Sequence, residues 1–222
     1  MNIMKLAGVP LLLALCPIAV HADPITYSFS TDNASFGAPT LFPFLDGLSV
    51  TGTFDYDADT PLSSIVPGGP VAGTAVYLFS TADLQGSVGA WSFSDPLGRT
   101  LVGDDTFPGP RDFLRLVADP PLGSGGTFGL IGFDIDGFSL VNVRMTWLEG
   151  TTDFLSDQNL PGVLPSFQGQ LALDFTPTDD PGLLSSVFFD GFTVTQVPEP
   201  ATFGLLGLGL MGLAFSRRRH CP

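Results

Sequence analysis

The chain has 222 residues and a formal net charge of −14. Between its two hydrophobic ends, residues 23–196 carry twenty aspartates and Glu149 against only Arg99, Arg111, Arg115 and Arg144, a net of −17. That balance excludes a nucleic-acid partner held by clustered Lys and Arg, and the lack of Cys, His and Lys in this stretch excludes disulfides, Ser–His–Asp or Cys–His catalysis, His- or Cys-based zinc and Schiff-base chemistry.

At the N-terminus, Lys5 precedes an apolar run over residues 6–20, and Val20-His21-Ala22 fits a signal-peptidase site. Residues 1–22 are therefore expected to be a signal peptide, with the mature chain starting at Asp23. Leu15 is too large for the small residue that a lipoprotein signal needs before Cys16.

Residues 23–196 have the length of one domain. The dominant period is two. Leu48, Val50, Gly52, Phe54 and Tyr56 alternate with Ser49, Thr51, Thr53 and Asp55; Val141, Val143, Met145 and Trp147 alternate with Asn142, Arg144 and Thr146. Leu171, Leu173 and Phe175 repeat the pattern, so each segment reads as a half-buried strand. Shorter strands are expected at residues 25–30, 75–80, 91–93, 113–117, 128–133 and 187–195. Asp46-Gly47 and Asp136-Gly137 suit type I′ hairpin turns, which need positive φ. Asp190-Gly191 fits either a tight hairpin or a bulge within one strand. Pro- and Gly-rich loops fall at residues 61–73, 108–110, 119–126, 160–165 and 177–182. Some nine antiparallel strands and no long helix predict an all-β fold, a single antiparallel β-sandwich or jelly roll with a phenylalanine-rich core.

An enzyme built on this body would have to use carboxylates, hydroxyls or Tyr27, Tyr56 and Tyr77. Asp55, Asp57 and Asp59 are the best candidate ligand set, since alternate carboxylates in an extended segment offer hard oxygens to Ca²⁺. Thr60 and Val66 stand where an EF-hand loop needs Gly and Glu, so an acidic turn before Pro61 explains the same residues. Asp134-Ile135-Asp136-Gly137 is explained by its turn. Two carboxylates can hydrolyse glycosides, but twenty aspartates make any pair uninformative. Trp91, flanked by Ala90 and Ser92, is a candidate platform for stacking on sugar rings, whereas Trp147 lies on an apolar face and is expected in the core. No cofactor is expected, with Ca²⁺ as the alternative.

Residues 197–222 form a third unit. Val197-Pro198-Glu199-Pro200 is a stiff acidic spacer, residues 201–215 are free of charge, and Arg217, Arg218 and Arg219 follow Ser216. Arginine is costly to carry across a bilayer, so this is read as a short transmembrane helix, about residues 201–216, with a cytoplasmic C-terminus. Fifteen residues of helix span roughly 23 Å, short of the usual ~30 Å. The order of spacer, apolar segment and arginines resembles the PEP-CTERM sorting signal of Gram-negative bacteria. The resemblance implies processing by an exosortase, an integral-membrane cysteine protease, near Pro198-Glu199-Pro200. The expected protein is thus exported, cut by signal peptidase and exosortase, held briefly in the inner membrane, and then placed at the cell surface or in the extracellular matrix. A non-enzymatic role is expected, and the alternative is a module binding Ca²⁺ or exopolysaccharide.

Overall fold

The computed structural model describes residues 24–32, 34–36, 42–66, 73–104, 112–118, 130–149, 154–155, 157–180 and 182–198. The expected signal peptide and residues 199–222, including Glu199, Pro200, Arg217, Arg218 and Arg219, lie outside them. Among the described residues eleven strands follow one another: β1 (Ile25–Ser30), β2 (Ala34–Phe36), β3 (Val50–Tyr56), β4 (Ser64–Ile65), β5 (Ala75–Val88), β6 (Trp91–Gly103), β7 (Asp112–Ala118), β8 (Asp134–Ile135), β9 (Phe138–Glu149), β10 (Gly169–Pro177) and β11 (Ser185–Gln196). A single turn of 3₁₀ helix at Pro43–Leu45 is the one helical element among the described residues.

Eight of the strands form a closed antiparallel barrel, which corrects the expected sandwich. The order runs β1-β3-β5-β6-β7-β9-β10-β11, and β11 then pairs with β1. Alternation along a strand is the same in both architectures. What separates them is the pairing of Ser28 with Thr195 and Ser30 with Thr193, between the two ends of the sequence. Closure leaves the large strands without the open edges that a sandwich must protect.

The barrel strands differ in length, and short strands fill the gaps. β3 covers the later part of β5 and β4 covers its start. β1 pairs with the end of β11, while β2 pairs with Phe188 and Phe189. β7 joins β6 to β9 over Arg99–Gly103 only. Beyond it, Ile131 bridges Ser94 through two backbone bonds, and Leu140 N–H donates to the Phe133 carbonyl. The strand expected at 128–133 is therefore this bridge, followed by β8; residues 128–129 lie outside the described residues.

The interior is packed rather than hollow, as an eight-stranded barrel allows. Tyr27 stacks on Phe54, and Phe192 packs against Phe29 and Trp147. Trp147 is completely buried, as its apolar face predicts. A remnant of about 10 Å³ between Phe54, Leu84, Leu116 and Met145 is no more than one water could fill. At one end Phe42, from the segment leading into the 3₁₀ turn, packs on Phe138 and Phe175, each with ring centroids 4.8 Å apart, and closes the barrel. Among the described residues no helix is long and apolar enough to cross a membrane, and the predicted segment 201–216 lies outside them.

Candidate functional site

The end of the barrel opposite Phe42 is where the chain leaves the fold. Tyr27 of β1 lies beside Gln196 of β11, and the Val197 N–H donates to the Thr26 carbonyl at 2.9 Å. Residues 24 and 198 thus emerge side by side. The connection from β9 to β10 covers this end and buries Leu155, Leu160 and Leu164. All three tyrosines of the chain pin it. Tyr56 Oη donates to the Pro161 carbonyl and Tyr77 Oη to the Gln158 carbonyl, each at 2.7 Å, while Tyr27 Oη accepts from the Leu164 N–H at 3.3 Å. Gln158 Nε2 donates to the Gly73 carbonyl, and the buried Asp112 accepts from the Leu155 N–H. Burial first, then the neighbouring Tyr27 and Tyr77, pushes the Tyr56 hydroxyl far above the ordinary tyrosine range. Burial and Asp157 push Tyr77 the same way. Both stay protonated donors, and their hydroxyls are spent on backbone carbonyls.

The acidic candidates lie beside this end but serve local structure. Asp55 accepts from the Thr26 hydroxyl at 2.6 Å. Asp57 accepts from the Asp59 N–H at 2.9 Å, closing a turn, and Asp59 is exposed. Among the described residues no three His, Cys, Asp or Glu side chains are gathered to hold a metal ion. Trp91 opens β6 at the other end of the barrel, partly buried, and packs against Phe44 and Phe133. The structure does not bring it together with Asp55, Asp57 and Asp59.

The junction at Gln196 and Val197 is also where a family model begins to match. Residues 196–219 carry a PEP-CTERM protein-sorting motif. The motif supports sorting by exosortase and implies export behind a membrane-anchored sorting signal. No curated protein and no solved structure matches the chain. Of the PEP-CTERM motif, Gln196, Val197 and Pro198 are described, and Val197 and Pro198 are exposed. The motif therefore starts inside the last barrel strand, with no linker between.

The barrel joined to this PEP-CTERM tail has one face with a pattern that single-strand reading misses. On the outside of five consecutive strands, Thr193, Ser30, Thr51, Ser87 and Ser92 pair in one row, and Thr195, Ser28, Thr53, Gln85 and Ser94 in the next. Nine hydroxyls and one amide lie in register across β11, β1, β3, β5 and β6, at the ~4.8 Å spacing of neighbouring strands. No charge interrupts the two rows in a body carrying twenty-one acids. A groove of about 530 Å³ runs over their β3–β5–β6 part, bordered by Ile131, which is 67% exposed. Thr51 and Thr53 were visible as the wet positions of a strand, whereas Gln85, Ser87 and Ser94 fall beyond the short strands expected at 75–80 and 91–93. Their alignment depends on register between distant segments, which carries no local signal.

Proposed function

We propose that this is an exported, non-enzymatic protein of the cell surface or extracellular matrix, with a closed barrel as its mature body and the PEP-CTERM tail as a removable sorting signal. The observation that carries the reading is the position of the motif: every described strand precedes Val197, so cutting near Pro198-Glu199-Pro200 leaves the barrel whole. The inventory of the body supports a non-catalytic role, because it has no His, Cys or Lys and its tyrosines are engaged in closing the barrel. Intact-mass spectrometry of protein released from the cell surface tests this. A mature form starting at Asp23 and ending within the Pro-Glu-Pro region is expected. Recovery of only uncut chain in the cytosol would overturn it.

A second reading, an exopolysaccharide-binding module, is favoured by the uncharged hydroxyl rows. Ser, Thr and Gln offer both donors and acceptors to a neutral sugar chain, and Ile131 adds an apolar border. Affinity electrophoresis in gels containing dextran should retard the protein, and the pair Thr53→Val and Ser94→Val should restore its mobility. Migration that is the same with and without glycan would count against binding.

A further inference from the structure

We propose that a second groove, on the other flank of the barrel, binds a small organic monocarboxylate through Arg115. This site stands independently of the sorting signal. Of the four arginines in the body, two lie on the outer face of adjacent strands, Arg115 on β7 and Arg144 on β9. Arg144 is already neutralised. Its Nε and Nη2 donate to both oxygens of Asp174 at 2.7 and 2.6 Å, and Asp174, 1% exposed, also accepts from the Ser186 hydroxyl. Arg115 differs. Its Nε donates to Thr146 Oγ1 at 3.1 Å, and its guanidinium carbon lies 5.9 Å from the Phe113 ring centroid. Among the described residues no carboxylate reaches it, and no protein acceptor meets its two terminal nitrogens.

That arrangement needs a reason in a body with twenty-one acids and four cations. A half-buried guanidinium without a counter-charge is unfavourable. Burial lowers its proton affinity and the neighbouring Arg144 lowers it further, while Asp174, held by Arg144, offsets this only in part. A groove of about 320 Å³ lies against it, a size typical of small-molecule pockets. Gln168, Gln170 and Thr146 give it neutral polar groups, and Leu148 and Phe188 give it apolar surface. A guanidinium fork matches a carboxylate with two parallel hydrogen bonds. The apolar lining suits a short hydrocarbon or sugar body behind that carboxylate. The net charge of −17 on the body repels polyanions, which favours a monoanion over phosphate or a nucleotide.

The test is titration of the full-length chain in detergent, followed by calorimetry and by amide chemical shifts. The probes are butyrate for a free acid, glucuronate for a sugar acid, butyramide as the neutral counterpart, and inorganic phosphate. Saturable binding of butyrate or glucuronate is expected, with shifts confined to β7, β9 and β10 and no response to butyramide. Which of the two acids binds more tightly identifies the source. Arg115→Gln should weaken binding at least tenfold. Arg115→Lys, which keeps charge but loses the fork, should fall between, and it serves alone if the Gln variant does not fold. The proposal is overturned if neither acid saturates, if both variants bind as well as the parent, or if phosphate binds as tightly as the acids with the same dependence on Arg115.

Discussion

Tyr27, Tyr56 and Tyr77 lie on neighbouring strands β1, β3 and β5, and each hydroxyl holds a different point of the segment covering the tail end of the barrel. The sequence marks them only as polar aromatics in alternating strands. Their shared task depends on which loop folds over them, and nothing near them in sequence announces it. Tyr56→Phe would keep the ring and leave the Pro161 carbonyl without its partner. Losing a buried hydrogen bond on one side costs about 1–3 kcal/mol. For a domain of this size that corresponds to a fall in Tm of roughly 3–10 °C. The difference should depend on pH. The folded state holds the Tyr56 proton above the ordinary range, so its contribution is full below about pH 10 and declines as pH rises beyond that. Melting curves from pH 8 to pH 11 should therefore show parent and variant converging at the alkaline end. A constant gap would mean that Tyr56 is not held protonated by the fold.

At the scale of the strands, the inner wall is organised by a cross-strand row: Phe29, Gly52, Gly86 and Phe93 pair in sequence across β1, β3, β5 and β6. The Phe29 ring lies over Gly52 and the Phe93 ring over Gly86, so two glycines make room for two large side chains. Gly52→Ala would drive a methyl group to within 2.5 Å of the Phe29 ring and also against the Gln85 carbonyl oxygen. Overpacking of this kind costs about 1–3 kcal/mol. Adding Phe29→Leu should rescue little, because the Gln85 backbone remains in the way. A Gly52→Ala protein melting within about 1 °C of the parent would show that the row is looser than the geometry requires. Strand positions were legible from period-two alternation, and β3, β9 and β10 fall where it places them. Strand lengths were not. The segment expected at 75–80 is a 14-residue strand, and that at 91–93 a 13-residue one. Phe79 and Asp83, at φ 64° and 48°, break the alternation along β5, and Pro96 and Gly98 break it along β6. Pro96 is tolerated because that part of β6 pairs with β5 and not with β7. The Asp-Gly pairs also diverge. Asp136 and Gly137 both take positive φ in the tight β8–β9 hairpin, as expected. Asp46 is extended and only Gly47 is left-handed, which is a type II turn rather than type I′. Gly191 marks a bend within β11, so the bulged strand wins there.

For the molecule as a whole, the decisive contact joins the two ends of the body. β1 and β11 close the barrel by pairing residues separated by nearly the full length of the body, such as Ser28 and Thr195. Contacts this distant are formed late and slowly, and only after synthesis has passed Gln196, immediately before the PEP-CTERM motif. The ends of the sequence therefore decide both the fold and the sorting, within a few residues of each other. Two truncations separate these roles. Removing residues 199–222 keeps β11 and the Val197 bond to Thr26, so the barrel should be secreted in folded form with its Tm unchanged. Removing residues 193–222 deletes the partners of β1 from Thr193 to Gln196 and leaves an open strand edge. Open edges template aggregation, so this shorter chain should aggregate or be degraded, and any soluble fraction should exchange its β1 amides rapidly in deuterium. If the shorter chain is as stable as the longer one, the pairing of β1 with β11 does not hold the barrel closed. If the longer one also aggregates, the tail belongs to the fold, and cutting near Pro198-Glu199-Pro200 could not release a stable body.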